Sequence, residues 1–145
     1  MVLGVFSPYI LTIAVAWLIA HSIKYIISAS KKEKYRFRSH VFMSGGMPSS
    51  HSAVTAGMAT IIGLRDGFGS GIFGLAVLFA MIVMYDALKV RRSSGEQGAA
   101  LTKLIKELKA KIELPRVAKG HRPDEVALGA LLGIFIGLVI YLITI

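Results

Sequence analysis

His121 and Glu125 stand four residues apart in Lys119-Gly120-His121-Arg122-Pro123-Asp124-Glu125, with Pro123 between them. Proline suits a first helical turn, so the two side chains can share one helix face. A carboxylate bonded to one imidazole nitrogen fixes the tautomer and leaves the other nitrogen free to attack. The same pair also reads as an interfacial histidine followed by a capping acid. A second histidine, His51, lies in Gly45-Gly46-Met47-Pro48-Ser49-Ser50-His51-Ser52, at the start of another apolar segment. Unpaired amides and the helix dipole favour an anion there. Backbone and hydroxyls of Gly45, Gly46, Ser49 and Ser50 can close around phosphate oxygens, and His51 could protonate a departing alkoxide. Taken alone, that segment is equally a flexible lead into a helix.

A third cluster, residues 85–97, places Asp86 and Glu96 around Arg91 and Arg92. It reads either as a solvated stop after an apolar helix or as an ion network in which the arginines clamp phosphoryl oxygens in bidentate fashion. The carboxylates would then orient the arginines or bind a divalent metal. Orientation is favoured, because no tight metal-ligand spacing appears; no metal or other cofactor is expected, with a divalent ion at Asp86 and Glu96 as the alternative. Lys24 either snorkels to an interface or serves as a third phosphate ligand. His21 and His40 lack comparable surroundings and read as structural or interfacial.

These residues sit among long apolar segments. The chain has 145 residues, 54% of them hydrophobic, which suits one domain and is too apolar for an ordinary soluble one. Uncharged stretches cover residues 1–23, 39–64, 67–85 and 126–145, and a spanning helix needs roughly 20 apolar residues. The expectation is an all-α integral-membrane bundle of about four transmembrane helices, near residues 3–28 (with a kink at Ser7-Pro8), 48–64, 70–86 and 124–145, forming a single membrane domain over 1–145. A signal-peptide reading of the first segment fares worse, since no positive charge precedes its long apolar run. Cysteine is absent from the sequence, so disulfides and thiolate sites are ruled out.

Helix 2 is rich in Ala, Gly and Thr, which places it mid-bundle where backbones approach closely. Helix 4 repeats Gly129, Gly133 and Gly137, a small-residue face that either docks within the chain or forms a homodimer. Between helices 3 and 4 lies a basic insertion with an amphipathic helix near 98–113. Its apolar stripe is Leu101, Leu104, Ile105, Leu108 and Ile112, flanked by Lys103, Lys106, Lys109 and Lys111, and Pro115 ends it. It lies in the membrane interface or packs on the protein's own face.

Of 17 Lys and Arg, five lie in 31–38 and ten in 89–122, leaving Lys24 and Arg65 elsewhere. Four helices would put both basic loops on one side, which the positive-inside rule makes cytoplasmic, with both termini outside. The net charge of +9 then reads as attraction to anionic lipid head groups rather than nucleic-acid binding.

Pro48-Ser49-Ser50-His51 and His121-Arg122-Pro123-Asp124-Glu125-Val126 together resemble the motifs of the type 2 phosphatidic acid phosphatase superfamily, lipid phosphate phosphatases related to vanadium haloperoxidases, and specifically its small divergent branch. The first string matches Pro-Ser-Gly-His with Ser50 in place of glycine. The second matches His-x-x-x-Asp with Glu125 in place of aspartate. The resemblance implies a metal-free phosphohistidine mechanism: His121 attacks phosphorus, Glu125 orients it, and His51 protonates the leaving lipid alkoxide. Two family features differ. The lysine and following Arg-Pro motif corresponds here to Lys24 with Lys31 and Lys32, and Pro115 holds the place of an arginine, with Arg116 one residue off. The phosphate-binding cations are therefore reassigned to Arg91, Arg92 and Lys24. The expected function is a membrane phosphatase acting on a lipid phosphate monoester or diphosphate at the cytoplasmic face. Alternatives are an anionic-lipid-binding scaffold or complex subunit without activity, and a lipid phosphotransferase.

Overall fold

The computed structural model of the chain describes residues 7–30, 46–110, 112–114, 117 and 120–145. Among the described residues, five α-helices make an all-α bundle: α1 (Pro8–Ser30), α2 (Ser50–Asp66), α3 (Gly71–Tyr85), α4 (Arg91–Glu107) and α5 (Pro123–Thr144). The readings made for Lys31, Lys32, His40, Gly45, Lys111, Pro115 and Arg116 fall outside the described residues.

α1 starts at Pro8, so the anticipated kink at Ser7-Pro8 is instead the helix start. Proline at a first helical position gives up only an amide that had no intrahelical partner. The buried residues of α1 are Thr12, Ala16, Ala20 and Lys24. Their four-residue spacing is a single helix face, three small residues lying against the bundle with Lys24 at the end of the same line. Thr12 turns its hydroxyl back to the Pro8 carbonyl at 2.8 Å, so it adds no unpaired polar group to this face.

α2 is the centre of the bundle. Ser49 caps it: the Ser49 Oγ accepts from the Ser52 amide at 3.4 Å and from the Ser52 hydroxyl at 2.9 Å. Ten of its 17 residues are buried, most of them Ala, Gly, Ser or Thr. α5 lays its glycine face along it. A Cβ on Gly129 would collide with the Ser49 carbonyl, one on Gly133 with the Ala53 carbonyl, and one on Gly137 would stand 2.8 Å from the Gly57 carbonyl oxygen. Only hydrogen at these three positions lets the two backbones touch. The glycine face is thus consumed inside the chain, and the homodimer reading of Gly129, Gly133 and Gly137 is corrected. At the far end of α2, Arg65 donates to the Thr144 hydroxyl at 2.7 Å, so α2 and α5 run parallel. Ala16, Ile61, Ile136 and Ile140 form the small apolar core where α1, α2 and α5 meet.

α3 is capped by Ser70, whose Oγ accepts from the Phe73 amide at 3.3 Å. Only Ala80 of α3 is buried, and Ile72, Leu75, Leu78, Phe79 and Met81 face outward, as suits a helix bathed in hydrocarbon. A single π-helical turn, Asp86–Val90, joins α3 to α4 without a break. The amphipathic insertion helix therefore begins at Arg91 instead of residue 98, and it ends at Glu107, before the expected limit. Its end is a Schellman-type closure: Lys109 takes φ 49°, its amide donates to the Lys106 carbonyl at 3.2 Å, and the Ala110 amide donates to Ile105 at 3.2 Å.

By length and composition, three helices among the described residues can cross a membrane: Pro8–Ser30, the continuous Gly71–Glu107 and Pro123–Thr144. α2 falls short, since 17 residues at about 1.5 Å each reach roughly 25 Å against a hydrocarbon layer of roughly 30 Å. On that count the chain crosses an odd number of times, which places its two ends on opposite sides. The expectation of four spans with both termini outside is overturned, and the sidedness built on it goes with it.

Candidate active site

α2 and α5 begin side by side because their backbones are joined there. The Ser49 amide donates to the Glu125 carbonyl at 3.0 Å, so the cap of one helix is fastened to the first turn of the other. Pro123 opens α5, and the Glu125 carboxylate accepts from the Arg122 amide at 3.2 Å, satisfying an otherwise unpartnered donor. Acids in this turn also complement the helix dipole.

His121 precedes that turn and is 3% exposed. Its ring Nδ1 lies 2.9 Å from the same Glu125 oxygen. An ionised carboxylate only accepts hydrogen bonds, so Nδ1 carries the proton and Nε2 keeps its lone pair. The His121 amide donates to the Ala87 carbonyl at 3.0 Å, within the π-helical turn. That turn widens the backbone ring and frees carbonyls from the regular ladder, here giving the histidine an anchor. Burial holds His121 below the ordinary histidine range, opposed by the Glu125 hydrogen bond, while the Lys24 and Arg91 charges push it further down. His121 is thus a neutral base over a wider range of pH than a free imidazole.

His51 is exposed in the first turn of α2. The charged or titratable groups acting on it are Arg91, His121, Lys24 and His21. Arg91 is half-buried, with its Nε 2.6 Å from Asp86. The five-residue spacing of that pair fits the π-helical turn between them. Lys24 is 7% exposed, held on the inward face of α1, and Glu125 is the charge acting on it. Snorkelling is therefore not its conformation. The Lys24 stem passes 3.7 Å from where a Gly46 Cβ would lie, and Gly46 takes φ +85°, a conformation glycine accepts without strain.

The structure thus gathers His51, His121, Glu125, Arg91 and Lys24 at one end of the bundle. Ser49 is there too, but its hydroxyl is engaged in capping, and Ser50 is buried at 4% exposure. Arg92 and Glu96 are not brought in. They pair with each other at 3.1 Å on an exposed face of α4, with side chains 66% and 71% accessible. A regular helix turns about 100° per residue, so adjacent arginines cannot both face the histidines. Asp86 and Glu96 each hold an arginine and point to different faces. Among the described residues, no three His, Asp or Glu side chains are grouped as metal ligands. His21 stacks on Trp17 at 4.1 Å between ring centroids, and its Nδ1 lies 2.9 Å from the Trp17 carbonyl.

Two features escaped sequence reasoning. The Ala87 carbonyl that anchors His121 depends on a π-helical turn, for which the only local signal is the Asp86–Arg91 spacing. Gly120 lies so close to Arg92 that a Cβ would stand 2.7 Å from its backbone nitrogen; a glycine just before the histidine was the available sign of that crossing.

The chain is 36% identical over 115 residues to the "Uncharacterized membrane protein YuiD" of Bacillus subtilis (strain 168), covering 69% of this chain and 73% of that protein. No solved structure matches it. A family model described as "Divergent PAP2 family" matches residues 6–136. That match takes in both histidine motifs, the π-helical turn and Gly129 and Gly133 of the glycine seam, and the chain belongs to the divergent PAP2 family.

Proposed function

We propose that this protein is a membrane phosphatase that hydrolyses a lipid phosphate monoester or diphosphate through a phosphohistidine on His121. Family membership supports a PAP2-like hydrolase in general. The specific reading rests on one observation: a buried imidazole locked by a carboxylate at 2.9 Å shares its surroundings with a second imidazole and two cations.

In the proposed cycle, Arg91 and Lys24 hold the phosphoryl oxygens, aided by the backbone amides at the start of α2. The Nε2 lone pair of His121 attacks phosphorus while the phosphorus–oxygen bond to the lipid breaks. Protonated His51 gives its proton to the departing alkoxide. Glu125 stabilises the positive charge that develops on the His121 ring. Water then attacks the phosphohistidine, His51 takes its proton, and phosphate leaves with the imidazole regenerated. Asp86 keeps Arg91 in position, and Ser49 keeps the helix start in shape. Arg92 has no direct part.

The test is phosphate release from a panel of lipid phosphates in detergent, with and without chelator. Wild type should release phosphate in both conditions, and His121→Ala should abolish release. His51→Ala should accumulate acid-labile phosphate on His121. Unchanged turnover in His121→Ala would remove the nucleophile from the scheme. Transfer to an added alcohol in preference to water would make the enzyme a phosphotransferase on the same intermediate, and absence of release from every lipid would favour the scaffold.

A further inference from the structure

An apolar groove of about 430 Å³ lies between α1 and α5 on the outside of the bundle. Ile23 and Ile27 of α1 form one wall, Leu131 and Phe135 of α5 the other, and Met47-Pro48 closes the end nearest the histidines. Every residue lining it is apolar. Its volume lies within the roughly 300–1,000 Å³ usual for small-molecule sites. Leu131 and Phe135 are 61% and 63% exposed, so the groove opens sideways, in the direction from which a lipid would come.

Two residues of the groove's lining are chain neighbours of residues in or fastened to the charged cluster. Pro48 adjoins Ser49, whose amide is bonded to Glu125, and Ile23 adjoins the buried Lys24. An amphiphile with an anionic head therefore has its cations at one end and an apolar channel leading away from them. We infer that this groove between α1 and α5 holds one hydrocarbon chain of the lipid phosphate while its head group sits at His51, His121, Arg91 and Lys24. This inference rests on the phosphatase reading for its head-group position. The groove then acts as a length gauge: long-chain phosphates gain apolar contact that short-chain and water-soluble ones lack.

The experiment uses a phosphatidate with a photoactivatable diazirine in mid-chain, crosslinked to the full-length protein in phosphatidylcholine vesicles and mapped by mass spectrometry. Labelling should concentrate on α1 and α5 around Ile27, Leu131 and Phe135, and excess unlabelled phosphatidate should suppress it. Excess phosphatidylcholine should not. Leu131→Trp should fill the groove and reduce this labelling severalfold, and Phe135→Ala should leave an open groove that still labels. Equal labelling of Leu75 and Phe79 on α3, or equal competition by both lipids, would overturn the groove assignment. The same crosslink is read in His121→Ala, so loss of turnover with displaceable labelling retained would sink the catalytic scheme alone. In turnover, Leu131→Trp should lower kcat/KM for long-chain phosphatidate about tenfold while leaving a short-chain phosphate within twofold. An equal loss on both would also overturn the assignment.

Discussion

Along the seam between α2 and α5, backbones meet through glycine, alanine and serine, whereas α3 and α4 turn Leu, Ile, Phe and Met outward and bury only Ala80 and Gly95 between them. Both regions contribute to the same end of the molecule. The seam brings His51, His121 and Glu125, and the α3–α4 arm brings Arg91 with Asp86. The seam's contribution is held by main-chain contact at distances no side chain can adjust. The arm's contribution is held by a salt bridge, by the bond from the His121 amide to the Ala87 carbonyl and by the close approach of Gly120 to the Arg92 backbone. In the proposed scheme, positional accuracy is thus concentrated where the nucleophile and proton donor would sit, while the cation assigned to the phosphoryl group rides on the other element.

This contrast sets an order of expected effects. The largest is on folding: Gly133→Leu drives a side chain into the Ala53 carbonyl and should destabilise by about 3 kcal/mol or more. Gly74→Leu, on α3 with nothing within 4 Å, should cause no loss and should stabilise by up to about 1 kcal/mol, since it replaces a helical glycine without a clash. Thermal unfolding in detergent compares the two, and similar losses would mean the seam is not what holds the bundle. Next comes Glu125→Gln, which should keep the fold and lower kcat by about 10² to 10⁴ with little change in KM.

Within the arm, Arg91→Ala removes a charged contact worth about 1.5–3 kcal/mol and should lower kcat/KM at least tenfold. Arg92→Ala disturbs an exposed pair worth about 0–1 kcal/mol and should stay within severalfold of wild type. Equal losses would mean that Arg92 swings into the site during turnover. The pH profile is a finer test. Burial lowers the His121 value, so the neutral nucleophile persists as pH falls, and the acid limb of kcat/KM should lie below the ordinary histidine value of about 6.5. Glu125 opposes that shift, so the residual activity of Glu125→Gln should show an acid limb at still lower pH. The smallest effect is Gly74→Ala, which should stabilise α3 by about 0.5–1 kcal/mol by removing an interior helical glycine.

Much of the site was legible because its geometry is local. The four-residue spacing of His121 and Glu125, the proline that opens α5 and the serine that caps α2 depend on positions within one helical turn. The glycine repeat likewise announced a close backbone approach, although only the fold shows that α2 occupies it. Lys24 was misjudged as a snorkelling candidate because it was considered singly. Read with Thr12, Ala16 and Ala20 at four-residue spacing, it lies on the inward face. Arg92 was assigned with Arg91 because their adjacency suggested a shared role, and helical rotation separates them. The count of spans failed at α2, whose small residues look apolar in a window but form a helix too short to cross. The π-helical turn has no periodic signature, so continuity from α3 into α4 was invisible.

The bond from Ser49 to Glu125 joins peptide group to peptide group, which has an evolutionary consequence. Codon changes at either position alter what projects from the chain without unfastening the link itself, unless proline replaces Ser49 and removes the donor. Substitution can therefore reshape the outer wall of the bundle while the two helix starts stay fastened side by side.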